Sequence, residues 1–224
     1  MSPTIPNIHI RLAKPEEYGQ IAVLVRKAFI RDPMMNYIGN LKEQLPVNTE
    51  NANTKDIETF SLFFLHSCHY VGGLVTVGVK KEPETSKEEI ACVAFWCPPN
   101  KRLALWKVPT LLRSGILKVL KVWGWAALKC LREYLDLSHV AQEESFMSAL
   151  MHEAYNNAPA GVPFILEATT PNSRDRYTHL GFEVVEEITL GKGKVNTEGI
   201  VASGQEAVGF PIWTMINVSP DFLE

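Results

Sequence analysis

Residues 164–185 set the tightest constraint on how this chain can fold. Phe164-Ile165-Leu166-Glu167-Ala168 follows the Gly161-Val162-Pro163 turn and reads as a strand. Residues 171–180 read as a short helix, closed by Gly181 in the usual left-handed cap position. Phe182-Glu183-Val184-Val185 then opens a second strand. Strands and helices mixed at this spacing indicate an α/β or α+β fold built around one sheet.

The rest of the chain supplies further strands and helices. Ile8-His9-Ile10-Arg11-Leu12 alternates as an opening strand. Lys14-Pro15-Glu16-Glu17 starts a helix carrying Ile21, Leu24, Val25, Ala28 and Phe29 at helical spacing, with Asp32-Pro33 as its stop. Residues 40–56 are polar and read as a loop, and residues 57–70 as a helix ended by Gly72-Gly73. Residues 74–79 and 89–96 form an antiparallel hairpin. Residues 145–157 read as another helix, and residues 210–216 close a last hairpin begun at Phe182.

Composition narrows the function classes. With 224 residues, 46% hydrophobic and 21% charged, the chain suits a single domain spanning 1–224 with a real core. A net charge of −3 gives no argument for nucleic acid. Its 4 cysteines, none in a Cys-x-x-Cys pair, read as buried reduced thiols. No secretory signal and no apolar run near the ~20 residues of a membrane span are visible, so the expected place is the cytosol or the nucleus.

Residues 101–132 hold eight basic residues and no acid, with Leu112, Ile116, Val119, Leu120 and Trp123 at helical spacing. They read as an inserted helical pair, about 101–133, covering the sheet. The other reading is a basic amphipathic face for a membrane or an acidic partner.

The run from Leu166 to Val184, with its Leu-Glu-Ala strand, Asn172, Tyr177 and Leu180-Gly181-Phe182, resembles the signature of GNAT N-acetyltransferases. Arg11 to Pro33 is similar to the family's first strand and helix, and Val93 to Pro99 to its middle strand. Leu190-Gly191-Lys192-Gly193-Lys194-Val195 resembles the family's fungal branch. The resemblance implies a mixed, mostly antiparallel central sheet flanked by helices. It implies acetyl-CoA as co-substrate, a small primary amine as acceptor, and direct transfer in a ternary complex. It puts the general acid on Tyr177, whose phenol would protonate the departing thiolate. Glu167 would act as, or position, a base through water. Leu166, Ala168, Thr169 and Asn172 would hold the pantetheine arm, and Arg174 and Arg176 would reach the phosphates. Asp32 would attract the amine, and Trp96 would border its groove.

The family's pyrophosphate loop, small residues opening a helix, has no counterpart. Gln142-Glu143-Glu144-Ser145-Phe146-Met147 contains no glycine and places two carboxylates where an anion should bind. The loop is degenerate or deleted. Residues 134–140 read equally as the strand that should precede it or as more helix. A non-catalytic GNAT-like remnant or binding protein, unable to hold acetyl-CoA, is therefore the alternative to an enzyme. His66-Ser67-Cys68-His69 lacks a second ligand pair at matched spacing, so no metal is expected. A homodimer is left open.

Overall fold

The computed structural model describes residues 8–46, 52–81, 88–97, 107–137 and 163–217. The helix expected over 145–157 and the segment 142–147 lie outside the described residues.

Among the described residues there are two three-stranded antiparallel sheets. The first has the order β1-β2-β3, from β1 (Ile8–Leu12), β2 (Leu74–Lys81) and β3 (Glu88–Trp96). The second has the order β4-β6-β5, from β4 (Phe164–Ala168), β5 (Glu183–Leu190) and β6 (Phe210–Asn217). Helices flank both, as expected, but the one central sheet expected from the sequence is two separate sheets among the described residues.

Period-two patterning explains the first sheet. Val75, Val77 and Val79 are all buried, and the first two meet Ile21 and Val25 of α1 (Tyr18–Phe29) together with Leu65 and Cys68 of α3 (Ala52–Tyr70). Arg11 of β1 clamps Glu17 with two bonds of 2.8 and 2.6 Å, fixing the angle at which the chain turns from strand to helix. That guanidinium holds the Glu17 carboxyl down at about 2.

Three boundaries differ from the sequence reading. Asp32-Pro33 does end α1, but it also starts α2 (Pro33–Ile38), with Asp32 as N-cap and Pro33 in the first turn. Helix α3 begins at Ala52, inside the expected loop, because its polar first turn carries no apolar signal until Ile57. The inserted pair is α4 (Val108–Ser114) and α5 (Ile116–Leu137), joined at Gly115, whose φ of 97° ends α4 in the left-handed region. Helix α5 runs through Leu137, so residues 134–137 are helix and not the candidate strand.

The largest apolar cluster lies where α2, α3, α4 and α5 meet the Leu190 and Phe210 ends of β5 and β6. The segment after β5 folds back onto α2: Asn36 Nδ2 donates to the Glu198 carbonyl at 2.8 Å, and Val201 N–H to the Leu41 carbonyl at 2.9 Å. Gly199 sits so close that a Cβ there would lie 1.9 Å from the Pro33 oxygen.

Two glycine substitutions test this seating. At Gly193, φ is +79° and the surroundings are open. Gly193→Ala should therefore lose about 1–2 kcal/mol from left-handed backbone alone. Gly199→Ala should lower the thermal midpoint distinctly further, because the α2 N-terminus must move. Equal midpoints would mean that the segment does not rest on α2.

Candidate active site

Strand β4 and the helix after it carry most of the predicted site. Successive strand residues face opposite sides. Leu166 and Ala168 turn to one face and join Tyr177, Phe182, Trp213 and Met215 in a single apolar cluster. Glu167 therefore takes the other face, where it is 0% exposed. The structure does not bring the two catalytic candidates, Tyr177 and Glu167, onto one side of the strand.

Helix α6 (Pro171–His179) is capped at both ends by its own sequence. At its start, Thr170 Oγ1 accepts from Ser173 N–H at 3.1 Å, and Ser173 Oγ accepts from Thr170 N–H at 3.2 Å. At its end, Phe182 N–H donates to the Tyr177 carbonyl and Gly181 N–H to the Thr178 carbonyl, each at 3.0 Å. This is a Schellman motif, with Gly181 at φ +86° in the required left-handed position. Such motifs commonly add an apolar contact between the second residue past the cap and the residue whose carbonyl it binds. Here that contact is Phe182 edge-on to Tyr177, ring centroids 5.8 Å apart. The spacing of Tyr177, Gly181 and Phe182 thus has a structural cause. Tyr177 is 1% exposed, whereas a proton donor to a thioester was expected to face a cleft.

Asp32 and Thr169 are brought together, in a way the sequence did not suggest. Asp32 Oδ1 accepts from Met34 N–H at 2.9 Å and Met35 N–H at 3.2 Å, capping α2, and Oδ2 accepts from the Thr169 hydroxyl at 2.5 Å. Both residues are buried. Asp32 is turned inward onto a cap and a strand end. Burial raises its pKa above the usual carboxylate value, and the bonds from Thr169, Met35 and Met34 offset part of that rise.

The remaining candidates sit around this centre. Trp96, half-buried at the end of β3, donates its indole N–H to Thr76 Oγ1 at 2.8 Å and meets Phe164 edge-on at 6.2 Å. It joins the two sheets beside the Tyr177 cluster. Arg174 lies over the Trp213 ring at 4.8 Å and bonds Asp175 Oδ1. Asn172 and Arg176 are exposed one turn apart on α6, with Arg176 Nε on Asn172 Oδ1 at 3.3 Å. Among the described residues, β4 pairs with β6 alone, which leaves its other edge without a ladder partner there.

These residues fit acetyl-CoA in part. The β4 edge, Asn172 and Arg176 offer polar groups for a pantetheine arm and a phosphate. The α6 N-terminus is a poor anion cradle, because Pro171 has no N–H and that of Ser173 goes to Thr170.

No protein-family profile matches the sequence, and a search of curated proteins returns no match. Among solved structures, the crystal structure of arylalkylamine N-acetyltransferase 2 from Aedes aegypti is similar, with a TM-score of 0.50, 12% identity, and 95% of this chain and 99% of that one covered. At that identity the likeness establishes the fold, which is GNAT-like.

The Asp32 arrangement makes a signed prediction. A raised folded pKa means the folded state binds the proton more tightly than the unfolded chain. This contribution is fully present below the ordinary value of 3.8 and is lost as pH rises through the raised value. Asp32→Asn keeps a capping oxygen and cannot ionise, so in denaturant titrations its stability should gain on wild type from pH 4 to pH 7. Asp32→Ala should be about 2–4 kcal/mol less stable at pH 4, from the lost cap and the orphaned Thr169 hydroxyl, with the deficit narrowing towards pH 7. The opposite pH trend for Asp32→Asn would contradict an inward carboxyl.

Proposed function

We propose that the protein is an acetyl-CoA-dependent N-acetyltransferase that works on a small primary amine by direct transfer in a ternary complex. The observation that carries this reading is the GNAT-like fold, which matches an arylalkylamine N-acetyltransferase over nearly the whole length of both chains. Within it, β4, α6 and the Leu180-Gly181-Phe182 cap form an unbroken unit.

The roles follow from position. The edge of β4 that has no ladder partner among the described residues, from Leu166 to Thr169, aligns the amides of the bound arm. Asn172 gives an amide at the start of α6, and Arg176, on the same exposed face, gives positive charge for phosphate. Arg174 reaches phosphate only by leaving Trp213 and Asp175. Tyr177 holds a proton at its phenol oxygen. Glu167, on the opposite face of β4, supports the strand end and acts on a proton only through water. Trp96, and Asp32 through Thr169, shape the acceptor side. Acetyl-CoA supplies the activated acetyl thioester. An arylalkylamine, the acceptor class in the neighbour's name, would find aromatic surface at Trp96. The cytosol is the proposed place of action, where unpaired thiols such as Cys68 and Cys97 stay reduced.

A second reading has its own observation. Helix α5 continues through Leu137, over residues that were the candidate for the strand before the pyrophosphate loop. Together with the burial of Tyr177, this favours a GNAT-like protein that no longer holds acetyl-CoA.

Calorimetric titration with acetyl-CoA separates the two. The enzyme reading expects saturable heat. It also expects Tyr177→Phe to bind alike, keep the ring contact with Phe182, and turn over roughly 10²–10⁴-fold more slowly. No heat at millimolar acetyl-CoA supports the remnant. Normal binding with unchanged turnover in Tyr177→Phe removes the acid role and leaves the cap as the reason for that tyrosine.

A further inference from the structure

The outward face of α4 and α5 combines exposed apolar residues with lysines. The inner side of the pair, including Leu111, Ile116, Val119 and Trp123, enters the main core. The outer side leaves Leu112, Leu117, Val122 and Trp125 in solvent, Leu117 at 63% and Trp125 at 75% exposure. Lys118, Lys121 and Lys129 are exposed among them. From Lys107 to Arg132 the sequence has no acid, although the whole chain carries a net charge of −3. The first acid beyond, Glu133, is bonded to Lys194 at 2.5 Å.

We propose that this face seats the protein on an anionic membrane surface. Three physical arguments select that occupant. Apolar residues and lysines interleave on one helical face, the pattern that lies in a lipid interface with apolar groups inserted and cations at the headgroups. Tryptophan is favoured at that depth because its ring is apolar and its N–H polar. A second copy would bring lysines against lysines across a two-fold contact, and protein interface cores are depleted of lysine. A nucleic acid would satisfy the lysines but leave Leu117, Val122 and Trp125 in water. No helix among the described residues is long and apolar enough to cross a membrane, so the contact is a surface one. The left-handed break at Gly124, φ 70°, divides α5 between Val122 and Trp125 and lets its two parts lie separately on a flat surface. The proposal is independent of acetyl transfer.

Co-sedimentation of the full chain with vesicles tests it. The protein should bind phosphatidylcholine vesicles containing phosphatidylserine, should not bind phosphatidylcholine alone, and should be released by high salt. Changing Lys118, Lys121 and Lys129 together to Glu should weaken binding roughly a hundredfold or more. Trp125→Ala should weaken it at all salt concentrations. Circular dichroism checks that the variants remain folded, and Lys118→Ser with Lys121→Ser carries the test if the charge-reversed protein does not. Four results would overturn the proposal: no binding at low salt, equal binding to neutral vesicles, equal binding to duplex DNA, or a dimer in light scattering that Trp125→Ala abolishes.

Discussion

The hydrogen bond from Thr169 to Asp32 is the contact on which the rest of the architecture turns. It joins residues 137 positions apart in the chain and is buried at both ends. One partner ends β4 and the other starts α2, so this bond sets the second sheet against the helices that follow the first strand. Asp32 does this while also receiving two N–H groups of α2. A carboxylate with three donors is one of the few ways to keep such a group out of water at acceptable cost. The same three bonds occupy both of its carboxylate oxygens. Asp32, expected beside an acceptor amine, and Thr169, expected beside the pantetheine arm, bind each other.

Much of the fold was legible because patterning dominates where one face is buried. Val75, Val77 and Val79 announce β2, and the periodicity of Ile116, Val119, Leu120 and Trp123 announces the inserted pair, although Leu112, counted with them, is exposed and Leu111 is the buried residue. What stayed hidden had weak or double signals. Asp-Pro closes one helix and opens another with the same two residues, so the short helix α2 was read only as an ending. The first turn of α3 is polar and has nothing to pair with in a periodicity count. Tyr134 to Leu137 alternate enough for a strand, yet they simply prolong α5, since no turn residue stops it.

The site was less legible than the fold, for a different reason. Residue types and spacing locate chemistry along the chain, not across a strand. Leu166, Glu167 and Ala168 are adjacent in sequence, but the middle one faces away from the other two and from Tyr177. Leu180-Gly181-Phe182 was read as a family mark. Its local meaning is a helix cap whose apolar contact is Tyr177 itself. A motif that is needed for the helix to end and also names a family says little about chemistry until a bound molecule is placed beside it.

The start of α6 bears on how a phosphate could be held near it. A helix start that has spent its N–H groups on a capping box has less left for an anion than one opened by glycines. Pro171 and the Thr170–Ser173 exchange put α6 in the first category. Phosphate held near this helix would therefore depend on side-chain cations. Arg174 is stacked on Trp213 and neutralised by Asp175, while Arg176 rests on Asn172. Binding would compete with contacts already made, so affinity here should fall steeply with salt, unlike that of a backbone cradle shielded from solvent.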